Sequence, residues 1–247
     1  MRALLLAAGL ALWASPSLAA PATDPEAATA LSRRQALGYA IAELTNSEAL
    51  TRVQFDKMLK DTLPKQLGAN PDFIELEAAI PGITDKVIDA MAPIIIKHVI
   101  RRLPALWTRV GALYANGLTQ RELEQVLAFY QSPVGRRLMD AMGKKMDYSR
   151  AVRQGIQDPK TPLTADDIKS AQQIGVLGLQ QELTAADLVE IKRFESLPVG
   201  PKLGALALRF QEVTAAWGNE PSPEVDAAVE EAVMAAMKPE LEKLAPK

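Results

Sequence analysis

A histidine-based metal site, or a hydroxyl nucleophile activated by an imidazole base, would have to use His98, because the chain has one histidine. His98 stands among Ile96, Val99 and Ile100 with Lys97 and Arg101 beside it. Those cations oppose a bound metal ion, so the surroundings predict a partly buried structural histidine. Paired carboxylates are the other route to chemistry, since two of them flanking a glycosidic bond can act as acid and base. Asp166-Asp167 and Glu230-Glu231 are adjacent in sequence, which puts the members of each pair on different helical faces. Glu122 reads as a helix-capping partner. No catalytic residue, metal ligand or cofactor-binding residue is expected. Gly175-Val176-Leu177-Gly178 lacks the lysine and the strand context of a phosphate-binding loop.

Composition narrows the partner classes. Formal charge is −2, and removal of Arg2 would make it more negative, so nucleic acid is not an expected partner. Positive residues concentrate only at Arg101, Arg102 and Arg109 and at Arg136, Arg137, Lys144 and Lys145, where a solvated helix face accounts for them. The chain has no cysteine, which removes disulfides, thiolate chemistry and a lipid-modified cysteine anchor together. Met91, Ile94, Ile95, Met139, Met142 and Met146 either fill gaps in a core or enclose a hydrophobic pocket.

The elements that must position these groups are helical. Hydrophobic residues make up 48% of the chain and aromatics only 5%, a balance that favours alanine-rich helices over strands. Arg2, the apolar run Ala3 to Trp13, Pro16 and Ser17-Leu18-Ala19 have the order of a signal peptide cleaved after Ala19. The domain reading is therefore a signal peptide at 1–19, a helical domain at 20–220 and a C-terminal helical segment at 221–247. Export places the protein in the periplasm or outside the cell, with no membrane span after cleavage.

Apolar spacing predicts helices from about Pro25 to Leu44, Ser47 to Leu63 and Phe73 to Ile80, then a longer one from Gly82 that kinks or restarts at Pro93 and Pro104. A last helix opens at Ser222-Pro223, and Pro239 is expected to disrupt it. A leucine-threonine start signal with a carboxylate three residues on occurs at Thr45/Glu48, Thr119/Glu122, Thr164/Asp167 and Thr184/Asp187. Each reads as a capping box, in which hydroxyl and carboxylate satisfy the first free backbone N–H groups.

Two of these starts head longer matching segments. LTQRELEQVLAFYQSPVGRRL at 118–138 aligns without gaps on LTAADLVEIKRFESLPVGPKL at 183–203, pairing both threonines, Phe129 with Phe194 and the two Pro-Val-Gly corners. The expectation is an all-α helical bundle built around two related helix–corner–helix units. In the first corner Ser132 ends one helix and caps the next, and Pro133 takes a first helical position.

The leader, the helical region and the Leu118 to Leu138 wording, ending in Phe129-Tyr130 and Ser132-Pro133-Val134-Gly135, resemble an exported bacterial helical family known as domain of unknown function number two thousand and fifty-nine. The resemblance implies location and fold and brings no catalytic residue set with it. The functional expectation is a non-catalytic binding or interaction module of the envelope. Its contacts would lie in the groove between the units, at Phe129, Tyr130, Arg136 and Arg137, and its partner would be another envelope protein. The competing readings are a carrier of hydrophobic ligand such as lipid and, more remotely, a carboxylate-based cell-wall hydrolase. Sequence leaves the oligomeric state open.

Overall fold

A computed structural model describes residues 25–158, 160–179 and 182–244, so the signal peptide expected at 1–19 lies outside the described residues. The fold is all-α, a bundle of α1 (Pro25–Thr45), α2 (Glu48–Lys57), a π-helical stretch (Met58–Thr62), α3 (Leu63–Leu67), α4 (Pro71–Ala79), α5 (Ile83–Gly117), α6 (Gln120–Gln131), α7 (Pro133–Lys145), α8 (Ser149–Gln157), α9 (Ala165–Gly178), α10 (Ala185–Glu195), α11 (Val199–Gly218) and α12 (Pro223–Leu244). No helix among the described residues is long and apolar enough to cross a membrane.

The 35-residue α5 is the axis of the bundle, about 50 Å long at 1.5 Å per residue. Against it lie α1, α11 and α12. The approach of α1 is close because Gly38 faces Gly111: a β-carbon on Gly111 would stand 2.8 Å from the Tyr39 nitrogen. Three apolar clusters form along the axis. Leu59, Leu63, Ile83, Val87, Met91, Val229 and Met237 join the π stretch, α3, α5 and α12 at one end. Ala42, Leu103, Leu106, Val110 and Trp217 join α1, α5 and α11 in the middle. Ile41, Leu118, Leu123, Val126 and Val199 close the other end. Each fully buried leucine, isoleucine or valine contributes about 1.5–3 kcal/mol of transfer free energy.

Proline placement departs from the expected breaks. No restart occurs at Pro93 or Pro104, which lie inside a continuous α5, and Pro239 lies inside α12, so burial of the flanking apolar faces outweighs the local loss at each ring. The break expected at Pro64 is instead a widening of the helix before it. Pro64 has no N–H and its ring crowds the carbonyl of Lys60; in the π stretch the N–H of Leu63 reaches back to the Met58 carbonyl, and the wider turn makes room for the ring.

Three of the four start signals are capping boxes in the structure, at Thr119, Thr164 and Thr184. The fourth is corrected: Thr45 is the last residue of α1 and donates its hydroxyl to the Ile41 carbonyl at 2.9 Å, while Ser47 caps α2. Asn46 and Ser47 follow Thr45 too closely for the sequence to choose between the three capping residues. The start of α5 is held by a group from another helix. Glu77 of α4 accepts from the backbone N–H of Gly82 at 2.5 Å and of Thr84 at 3.1 Å.

The Pro-Val-Gly corners join α6 to α7 and α10 to α11 by different backbone routes. Ser132 is extended, and its hydroxyl accepts from the Gly135 N–H at 3.0 Å. In the other corner Ser196 and Pro198 are helical, and the Leu197 carbonyl accepts from the Gly200 N–H at 2.9 Å. A backbone carbonyl thus replaces the missing serine hydroxyl. In both corners a β-carbon on the glycine would overlap a carbonyl at the end of the preceding helix, that of Phe129 or of Glu195.

Candidate functional site

A cavity of ≈ 810 Å³ runs through the bundle, with walls drawn from most of its helices. Its size lies within the range of about 300–1,000 Å³ usual for small-molecule sites, and apolar walls with few polar groups are the usual lining of such sites. Met91, Ile95, Val99, Leu103 and Leu106 of α5 form one side. Leu138, Met139, Met142 and Met146, on and just after α7, face them together with Ile168 of α9 and Leu203, Leu206 and Phe210 of α11. Five of the six residues flagged by the methionine-isoleucine pattern therefore line one cavity; Ile94 packs in the α5–α12 cluster instead. Methionine is flexible and polarizable, which suits a wall that must follow the shape of an apolar guest.

Three tyrosines reach the lining, Tyr114, Tyr130 and Tyr148. Burial raises the pKa of each phenol, that of Tyr148 to about 12. All three are neutral hydrogen-bonding groups at any physiological pH. Beside Met146, the Lys57 ammonium donates to the carbonyls of Lys144 and Met146, at 2.8 and 3.1 Å, and pins the end of α7 against α2.

One polar group in the lining gathers residues far apart in sequence. Arg102 donates to the Trp217 carbonyl at 2.8 Å and to Glu220 at 2.5 Å, and its guanidinium lies 5.0 Å from the Trp217 ring centroid. Arg109 also binds Glu220. Burial raises the Glu220 pKa, but hydrogen bonds from the two arginines outweigh it and hold the carboxyl below its usual range. His98 lies 2.9 Å from the Ser222 hydroxyl. Its pKa is lowered by burial, then by Arg102 and Arg101. The described residues hold no cluster of three or more histidines and carboxylates fit for a metal ion.

Two of the carboxylates weighed for acid-base chemistry, Asp167 and Glu122, have other partners. Asp167 lies in a capping box with Thr164 and within 3.6 Å of Arg150, and Glu122 lies in one with Thr119 and within 2.7 Å of Lys202. Hydrogen bonds from Lys202 and from the Thr119 backbone bring the Glu122 pKa down to about 2.

The four residues expected as partner contacts have different surroundings. Phe129 stacks on Phe194 with ring centroids 3.9 Å apart and planes 4° from parallel, so its face is engaged within the chain. Tyr130 meets Phe129 edge-on and lines the cavity. Arg137 binds Asp187, with Nε to Oδ2 at 3.2 Å. Hydrogen bonds from Arg137 and Thr184 bring the Asp187 pKa down to about 2. Arg136 and Arg137 are both exposed to solvent. Sequence reasoning missed Arg102, Glu220 and Trp217 as a group, because nothing local marks Glu220 as the partner of two arginines more than a hundred residues upstream.

With this geometry in hand, comparison adds a family. Residues 106–162 match the family described as "Uncharacterized protein conserved in bacteria (DUF2059)". The match agrees with the resemblance read from Leu118 to Leu138. It spans the end of α5, all of α6, α7 and α8 and the turn that follows, and it stops before the second helix pair. No curated protein and no solved structure matches the chain.

Proposed function

We propose that the protein is a non-catalytic carrier or receptor for an apolar, chain-like ligand, acting outside the cytoplasm. The observation that carries this reading is the ≈ 810 Å³ cavity, walled largely by methionine, leucine and isoleucine. Apolar walls favour a guest that removes them from water, and the adaptable methionines fit a ligand of variable chain shape. Glu122 and Asp167, held in caps and ion pairs, lend the hydrolase reading no support. Placement outside the cytoplasm rests on the order of charged, apolar and small residues at Arg2 to Ala19.

The test is native mass spectrometry of the purified protein together with thermal melts in the presence of long-chain lipids. A co-purifying apolar molecule, or a melting temperature that rises with added lipid, supports the carrier reading. A protein that carries nothing and melts at the same temperature with every lipid tried defeats it.

We also infer that the α6–α7 and α10–α11 pairs are copies of one unit packed about a local two-fold. Support comes from reciprocal contacts between aligned positions. Phe129 stacks on its counterpart Phe194. Glu122 of the first segment pairs with Lys202 of the second, and Arg137 of the first with Asp187 of the second, where Glu122 aligns with Asp187 and Arg137 with Lys202. Two pairs exchanged in this way, with a like residue meeting its like between them, are what an isologous contact produces.

A further inference from the structure

The wall of the cavity is not equally firm all round. Its stretches on α5 and α11 belong to helices with buried residues, and α7 and α10 are joined by the Arg137–Asp187 pair. The wall contributed by α8 has no such support. This helix has nine residues, fewer than the ~12–15 at which a helix begins to hold itself in water. It buries none of them, and Tyr148 before it makes no side-chain cap. Gly155 in its interior weakens it further. No buried member of the three apolar clusters comes from it; Val152 and Ile156 lie partly buried at the margin of one. Its polar links run through two exposed arginines, Arg153 to Gln66 of α3 at 3.0 Å and Arg150 to Asp167 of α9 at 3.6 Å. Exposed pairs of this kind hold weakly against water.

Yet α8 is a full part of the cavity wall. Ala151, Val152, Gln154, Gly155 and Ile156 line the cavity, while Arg150, Arg153 and Gln157 are exposed outside. A β-carbon on Gly155 would meet nothing within 4 Å. The helix α4 also buries no residue, but none of its residues lines the cavity. The chain is fastened on both sides of α8. Before it, Lys57 holds the Met146 carbonyl at 3.1 Å. After it, the Asn219 side chain accepts from the Leu163 N–H at 2.9 Å and donates to the Leu163 carbonyl at 2.8 Å. A weakly held cover between two firm anchors can leave its place and return to it, which is what a gate requires.

We propose that α8 is the gate of the cavity: Ser149 to Gln157 unfold locally, admit the apolar ligand past Gly155, and refold over it. The rest of the bundle stays folded meanwhile, because the departing helix takes no buried cluster residue with it. The gate rests on the apolar-carrier reading and adds the route by which the ligand enters and leaves.

Stopped-flow binding of a fluorescent naphthylamine dye tests it. The chain has no cysteine of its own, so Gln66→Cys with Arg153→Cys can be bridged by a short bismaleimide across the α3–α8 contact. Neither position lines the cavity. Bridging is expected to slow dye entry and release by about tenfold or more each and to leave the affinity within about twofold, against single-cysteine controls treated alike. Gly155→Ala is the second probe. Its methyl group has room and raises helix propensity, so amide exchange in α8 and dye entry should both slow about fivefold, equivalent to about 1 kcal/mol. Dye rates unchanged by the bridge overturn the proposal. So does a Gly155→Ala protein in which α8 exchange slows and dye entry does not. If the dye binds to no form of the protein, the carrier reading itself is lost and the gate with it.

Discussion

The seam between the α6–α7 and α10–α11 pairs and the cavity beside it are built from the same helices to opposite ends. In the seam, rings lie at contact distance and ion pairs cross in both directions, and at the corner inside each pair the glycine leaves no space for a methyl group. In the cavity, Leu138, Leu203 and Leu206 from those same segments look onto open volume. The seam is therefore a region where any added atom is costly, and the cavity one where added atoms have room. The contrast locates rigidity in the wall and adaptability in the space it borders.

The largest expected break of that contrast is Gly135→Ala. Its β-carbon would overlap the Phe129 carbonyl, a backbone atom that cannot turn aside, so a loss of about 3 kcal/mol in urea unfolding is expected. Next is Phe129→Ala, which removes half of the ring stack from a half-buried site. It should cost about 2 kcal/mol, and a double-mutant cycle with Phe194→Ala should return a coupling of about 0.5–1.5 kcal/mol. A cycle that shows no coupling would mean that the seam is a contact without energetic weight.

Smaller effects follow from the caps and the charges. Thr119→Ala and Thr184→Ala should each lower stability by about 1 kcal/mol, and a loss at only one of them would mean that the two pairs are not held alike. Folded-state pKa values of about 2 for Glu122 and Asp187 lie below the ordinary 4.5 and 3.8. Their stabilisation is present above pH 4.5 and is lost as pH falls toward 2. Glu122→Gln with Asp187→Asn should flatten that acid limb in melts taken across the window. The smallest stability effect is expected in the cavity, where Ile95→Phe or Met139→Phe should shift unfolding by less than about 1 kcal/mol while reducing lipid binding. A loss as large as that of Gly135→Ala would show the cavity wall to be as tightly packed as the seam.

What could be read from the sequence was local. Thr119, Thr164 and Thr184 announced their helices because a cap needs only four consecutive residues, and Ser132-Pro133 announced a corner for the same reason. Pro64, Pro239 and the restart allowed for at Pro93 and Pro104 misled because a proline's cost is local while the burial that outweighs it comes from distant helices. The methionine pattern pointed at apolar surface without distinguishing a filled core from a cavity, a difference of shape that composition does not encode. Trp217 offered no signal, since the partner its carbonyl finds, Arg102, lies 115 residues away in sequence.

One rod, α5, takes part in all three apolar clusters and in a wall of the cavity. Opening any of them means pulling a neighbour from the same backbone, so the bundle should lose its structure as one cooperative unit. Occupation of the cavity would then slow amide hydrogen exchange at the start of that rod, around Ile83 and Val87, although neither residue lines the cavity.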